Sequence, residues 1–176
     1  MAETLDRSSW WKIAIVTVIG IELLGGASGW LSNSGYGNAW FDALEKPSFM
    51  PPGAAFGIVW PILYAFLGIA LAMVLKEPPS PRRKVALSLF FIQLAMNFAW
   101  SPIFFAGHDI ALAKIVIFVM AALAAAAAGQ FLRIRRAAGL LMVPYLAWLV
   151  FAGTLNSTIE HLNPGAGTSL LVWHSR

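Results

Sequence analysis

Five stretches of this chain, near residues 11–31, 54–75, 85–105, 110–132 and 139–159, are apolar and almost free of charge. Each is about 20 residues long, the length an α-helix needs to cross a hydrocarbon core of about 30 Å. That pattern leaves little choice of fold. Only 11% of residues are charged and 59% are hydrophobic, against about 25% charged in an ordinary soluble domain. The expectation is an all-α, integral membrane bundle of five transmembrane helices. Residues 1–176 form one domain, with short connections except the first and a loose polar tail over 163–176, where Trp173 reaches the interface. The first stretch has two features of a signal peptide, Arg7 and Lys12 before it and Gly25, Gly26 and Gly29 within it. Its length and the internal Glu22 favour a retained helix.

The basic residues set an orientation. Arg7 and Lys12 precede the first helix; Lys76, Arg82, Arg83 and Lys84 join the second to the third; Arg133, Arg135 and Arg136 join the fourth to the fifth. These regions share one side of a five-helix bundle, which the positive-inside rule places in the cytoplasm with the amino terminus. The net charge of +4 thus reflects topology and not a nucleic-acid partner. The first loop and the carboxyl terminus fall on the outer side.

That loop, from Trp40 to Gly53, is unusual. Pro47, Pro51 and Pro52 remove backbone donors and bias the residues before them toward extended geometry, so the segment is read as non-helical. Yet it carries Trp40, Phe41, Leu44, Phe49 and Met50, and needs an apolar surface to lie on. The bland reading is a rigid connector. The loop's apolar content favours a lid, with Trp40, Lys46, Pro47, Phe49, Pro51 and Pro52 as its marked residues.

Helical periodicity places several polar and aromatic residues on shared faces. Trp60 and Tyr64 lie one turn apart beside Pro61. Gln93, Asn97 and Trp100 follow at i, i+4 and i+7, with Pro102 beyond. Tyr145, Trp148, Ala152 and Leu155 share a face of the last helix, with Asn156 adjacent. Singly, each has an ordinary explanation as interfacial anchor, interhelical hydrogen bond or helix kink. Together they converge, because alternating chain direction puts most of them in the outer half, beneath the loop. A void walled by indoles with a few amides suits a large flat apolar ligand with a polar edge. Glu22 is a functional candidate because it is an intramembrane carboxylate, but its position suggests a depth at least a turn below the aromatic cluster. The alanine-rich run from Ala121 to Ala128 reads as packing surface.

Other chemistries lack residues. There is no cysteine, hence no disulfide or thiol nucleophile. His108, His161 and His174 are scattered without ligand spacing, so no metal is expected. Nothing forms a Ser-His-Asp set, a pair of carboxylates or a phosphate loop.

Four separated motifs carry a resemblance over about Glu22 to Asn156: Trp40-Phe41-Asp42-Ala43-Leu44-Glu45-Lys46-Pro47-Ser48-Phe49 with Pro51-Pro52; Val59-Trp60-Pro61-Ile62-Leu63-Tyr64; Gln93 through Asn97 and Trp100 to Phe105; and Val143-Pro144-Tyr145 through Trp148 to Asn156. In this order and in these helices the chain resembles the translocator protein family, also called tryptophan-rich sensory proteins or peripheral-type benzodiazepine receptors. The resemblance implies a five-helix bundle that dimerises. It also implies a pocket under the first loop for porphyrins such as protoporphyrin IX or heme, and in some members for sterols or isoquinoline and benzodiazepine-type drugs. No cofactor is required; the porphyrin is a ligand. The pocket residues carried over are Trp60, Asn97, Trp100, Trp148, Ala152 and Leu155. Sensor, carrier or scavenger is the leading role. The alternatives are light-dependent porphyrin breakdown, with Trp60 and Trp148 as photochemical candidates, and proton-coupled transport through Glu22. The stretch from Leu155 to His161 lacks the Tyr and Lys or Arg of the animal proteins' cholesterol pattern. This weakens sterol handling and favours a bacterial cell membrane as the setting.

Overall fold

A computed structural model describes the backbone of residues 2–167, and side-chain surroundings from Trp10 onward. The helices are α1 (Ala2–Leu31), α2 (Ala39–Ala43), α3 (Gly53–Leu75), α4 (Pro81–Ser101), α5 (Ile110–Ile134), α6 (Arg136–Leu141) and α7 (Val143–Leu162), with a π-helical turn at Pro102–Ala106. Five spans are long and apolar enough to cross a membrane: Trp10–Leu31, Gly53–Leu75, Pro81–Ala106, Ile110–Ile134 and Arg136–Leu162. Contacts run from α1 to α3, α3 to α6 and α7, α7 to α5, α5 to α4 and α4 back to α1, closing a ring.

The interior differs along its length. Away from the 32–52 loop the helices touch through small residues. Ala86, Ala124, Ala127 and Ala138 have no exposed surface, and Phe90 stacks on Phe131 at 5.4 Å. One face of the alanine run, at Ala124, Ala127 and Ala128, packs within the bundle, while Ala122, Ala125 and Ala126 are exposed. At the α1–α3 crossing Thr17 Oγ1 donates to the Gly68 carbonyl at 2.8 Å. A Cβ at Gly68 would fall 2.6 Å from Val18 Cα, so the crossing needs a glycine here.

Proline accounts for the irregular turns. Pro102 has no N–H for the Phe98 carbonyl, and Ser28 Oγ of α1 donates there instead at 2.5 Å. The chain then widens, with the Gly107 N–H bonding back five residues to Pro102 O at 2.8 Å. The fifth span breaks at Met142, just before Pro144.

Two expectations are corrected. The third span starts at Pro81, not near residue 85, because Pro81 suits the first helical position and Ser80 Oγ caps the Arg83 N–H at 3.1 Å. The guanidinium of Arg83 in turn donates to the Val74 and Leu75 carbonyls that end α3. The segment from Trp40 is also not wholly non-helical. Ala39–Ala43 is a short helix whose Asn38 cap accepts from the Phe41 N–H. The prolines begin at Pro47, too far along to forbid it.

Candidate functional site

In the loop-side half the spans stand apart around a cavity of about 630 Å³. The cause is the size of the side chains between them. Trp60 and Trp148, from α3 and α7, meet edge to face at 6.4 Å. Trp60 lies against Tyr64 at 5.2 Å, Phe56 against Trp148 at 5.7 Å, and Trp100 stacks on Phe104 at 5.0 Å. On α1 the wall is low, formed by Gly25, Gly26 and Gly29. A Cβ at Gly25 would collide with the Tyr64 ring. The residues Trp60, Tyr64, Asn97, Trp100, Trp148, Ala152 and Leu155, expected from shared helix faces, all line this one cavity.

A buried polar chain holds its floor. Tyr64 Oη donates to Asn97 Oδ1 at 2.8 Å, Asn97 Nδ2 donates to Tyr145 Oη at 3.1 Å, and Tyr145 Oη donates to Gln93 Oε1 at 2.8 Å. This ties α3, α4 and α7 together. A connected buried network of this kind fixes one arrangement of its helices. Asn97 therefore uses both ends of its amide on other helices. It is chiefly a tie, where the sequence suggested a donor to the ligand.

A few buried polar atoms near the cavity are left over, as is Gln93 Nε2 in the polar chain itself. Trp100 Nε1, Trp148 Nε1 and Asn156 Oδ1 are buried atoms without a hydrogen-bond partner among the described residues, and all three belong to residues lining the cavity. The amide of Asn156 is oriented by its Nδ2 donating to the Ile110 carbonyl at 3.0 Å, so Oδ1 is left to accept. Buried polar groups of this sort are met by water or by a ligand. The three atoms lie behind the aromatic surface that the cavity presents.

The loop covers the cavity with residues other than those first marked. Gly35, Tyr36, Phe41 and Met50 line it; Trp40, Lys46, Pro47, Phe49, Pro51 and Pro52 do not. Trp40 turns the other way, stacking on His108 at 4.4 Å and donating from Nε1 to the Ala166 carbonyl at 3.1 Å. Phe49 meets Phe151 edge to face at 6.4 Å. The Pro51 carbonyl lies 3.4 Å from the Tyr36 hydroxyl that donates to it, and the Pro47 carbonyl accepts from the Met50 N–H at 2.9 Å. Pro52 precedes α3 as its cap. Lys46 Nζ donates to the carbonyls of Phe41, Asp42 and Leu44 at 2.7, 3.1 and 3.0 Å, and sits 4.7 Å from the Phe41 ring centre. An ammonium has three hydrogens, and here each has a carbonyl. Lys46 braces the loop; it does not wait for a ligand carboxylate.

The described part of the carboxyl-terminal segment is fastened as well. Asn163 Oδ1 accepts from the Glu45 N–H at 2.7 Å, and its Nδ2 donates to the Glu45 carbonyl at 2.8 Å. Residues 163–167 are therefore bound to the first loop where a loose tail was expected. The rest of that tail, Trp173 included, lies outside the described residues.

Glu22 lines the same cavity at its inner end: α1 and α3 run antiparallel, with Gly25 against Tyr64 and Val18 against Gly68, so Glu22 lies about a turn inward of Tyr64, the depth its position suggests. Sequence reasoning missed the glycine wall, Phe56 and the Phe104–Phe105 pair. The small-residue spacing of Gly25, Gly26 and Gly29 was a usable signal. The inward turn of Phe104 and Phe105 was not, since it depends on the π-helical turn.

Among the described residues no group of His, Asp and Glu is placed to hold a metal ion. The TspO/MBR family model matches residues 14–162, a range that contains every wall of the cavity. A translocator protein of Sus scrofa is 36% identical over 152 residues, 84% of this chain and 90% of its own length. The tryptophan-rich protein TspO of Chlorobaculum tepidum is 41% identical over 132 residues, 71% of this chain and 80% of its own. Protein CrtK of Rhodobacter capsulatus is 35% identical over 141 residues, 80% of this chain and 86% of its own. Matches this long, running through all five spans and the loop over them, mean that the chain belongs to the TspO/MBR family of multi-pass integral membrane proteins.

Proposed function

We propose that this protein is a membrane receptor for flat, largely apolar ligands of the porphyrin class, such as protoporphyrin IX or heme, acting as sensor, carrier or scavenger. The observation that supports this most is the cavity itself. Its walls are indole and phenyl rings from three spans. Its volume of about 630 Å³ lies within the usual range for small-molecule sites. Ring faces stack on indoles, while the two carboxylates of a porphyrin stay in water at the mouth, since burying them unpaired is costly. The names of the relatives, a translocator protein and a tryptophan-rich protein, accord with a receptor of this kind.

The same proposal places the protein in a bacterial cell membrane as a homodimer with a cytoplasmic amino terminus. The basic clusters at Arg82-Arg83-Lys84 and Arg133-Arg135-Arg136 support that orientation. Labelling of Arg83→Cys from outside intact cells would overturn it.

The binding test is a titration of the purified protein in detergent with protoporphyrin IX, heme and cholesterol side by side, read by tryptophan fluorescence. Porphyrin should quench strongly, because several indoles line one void. Trp60→Ala combined with Trp148→Phe should weaken porphyrin binding by about tenfold or more, through a lost aromatic contact and a wider void. Unchanged affinity in that double variant would place the ligand elsewhere.

A further inference from the structure

The cavity has one formally charged side chain in its lining, the carboxylate of Glu22. No described residue gives it a hydrogen bond or an ion pair. Lysine, arginine and histidine do not occur in the lining. The lysine nearest the loop's inner face, Lys46, has all its ammonium hydrogens on loop carbonyls. Among the described residues, this void within the bundle thus presents a carboxylate and no counter-charge. Intramembrane carboxylates are expensive and are ordinarily paired. Beside Glu22 stand aromatic faces. Tyr64 packs where a side chain at Gly25 would otherwise go, one turn along α1 from Glu22, and Trp60 lies 5.2 Å from Tyr64. The Tyr64 hydroxyl is committed to Asn97, so this tyrosine offers the cavity its ring. A carboxylate beside electron-rich ring faces is the environment that stabilises an organic ammonium, by ion pairing and by cation–π attraction.

We propose that the cavity is a site for aromatic organic cations, with a protonated amine seated on Glu22 and the attached ring system against Trp60 and Tyr64. The proposal rests on the reading of the cavity as a binding site and refines its ligand class. A flat ligand with a basic nitrogen finds a counter-charge inside; an anionic ligand finds none and keeps its charges at the mouth.

The test uses a matched pair of probes. 9-Aminoacridine is a flat cation at neutral pH; acridine has the same ring system and is neutral. Both are titrated into purified full-length protein in uncharged detergent, read by probe fluorescence and tryptophan quenching, with excess protoporphyrin IX as competitor. Wild type should bind the cation about tenfold more tightly than the neutral ring, the size of a single well-placed ionic contact. Glu22→Gln should erase that preference and leave acridine binding unchanged, and Glu22→Asp should keep part of it. Thermal melts of each variant separate loss of fold from loss of contact. An equal preference in wild type and Glu22→Gln would overturn the proposal while leaving the cavity as a site. Failure of both probes to bind, or to be displaced by protoporphyrin IX, would overturn the cation site, whereas failure of protoporphyrin IX itself to bind would overturn the receptor reading.

Discussion

Away from the first loop, α3, α4, α5 and α6 meet through alanines with no exposed surface and through stacked Phe90 and Phe131. Toward the loop, the same spans present Trp60, Trp100, Trp148 and Phe104, and a cavity of about 630 Å³ opens between them. The two halves are similarly apolar. What differs is side-chain size. Small residues let backbones approach until nothing fits between them; rigid indoles facing one another hold helices apart and leave concave space. One half supplies rigidity and the other supplies a site, and the Tyr64–Asn97–Tyr145–Gln93 chain lies between them.

Two glycines of α3 offer the sharpest way to break this contrast. A side chain at Gly68 would run into the Val18 backbone, while one at Gly57, which lines the cavity, would meet nothing within 4 Å. Gly68→Val should force α1 from α3, disturb the Thr17 bond, and cost about 3 kcal/mol, the upper end for overpacking. Gly57→Val should leave stability within about 0.5 kcal/mol, yet weaken porphyrin binding by occupying the cavity edge. Thermal melts and titrations of both variants provide the comparison. Equal stability loss at the two sites would mean that the halves are not packed differently.

The boundary between the halves should be next in sensitivity. Asn97→Leu removes both central bonds and strands the buried Tyr64 hydroxyl, while Tyr145 keeps only its bond to Gln93. Leaving buried polar groups unmet costs about 1–3 kcal/mol. The cavity floor should loosen as well, so that ligand affinity falls with stability. A fall in affinity without any change in melting temperature would instead make Asn97 a ligand contact.

What could be read in advance follows the same division. Helical faces are periodic, so Trp60 with Tyr64, Asn97 with Trp100, and Trp148 with Ala152 and Leu155 could be assigned to one side of their helices from spacing alone. The loop has no period. Nothing in Trp40-Phe41 says that Phe41 turns inward and Trp40 outward, and nothing local shows that Lys46 would find three carbonyls. The π-helical turn was hidden too, since Pro102 announces a missing hydrogen bond but not that Ser28, on another helix, replaces it.

A smaller effect is expected at Trp148, which touches both Trp60 and Phe56. Trp148→Phe keeps an aromatic ring and loses the Nε1 donor that has no protein partner. Porphyrin affinity should fall by about 0.5–1.5 kcal/mol, with the melting temperature nearly unchanged because no protein hydrogen bond is broken. A loss of stability larger than the loss of affinity would mean that Trp148 belongs with the packed half.

The smallest expected effect concerns how the cavity is closed. The loop's inner face, through Tyr36, Phe41 and Met50, covers the site, while its outer face is tied to the end of α7 by the paired Asn163–Glu45 bonds and by Trp40 on Ala166. Asn163→Ala removes the two exposed bonds to Glu45 and a part-buried one from Nδ2 to the Ile159 carbonyl, each worth about 0.5–1.5 kcal/mol and here toward the low end. It touches neither the cavity nor the helix interfaces, so melting temperature and association rate should barely move. Escape beneath this loop is different, because a lost tie makes lifting easier. Protoporphyrin IX should dissociate about threefold faster in stopped-flow, in line with affinity changes appearing mainly in off-rates. Pro51→Gly with Pro52→Gly should act in the same direction by another route, restoring chain freedom to the loop. If Asn163→Ala leaves the off-rate unchanged while the glycine variant raises it, closure depends on the loop's own stiffness and not on its tie to α7. If neither changes it, the ligand does not leave beneath this loop, and the low glycine wall of α1 becomes the route to test.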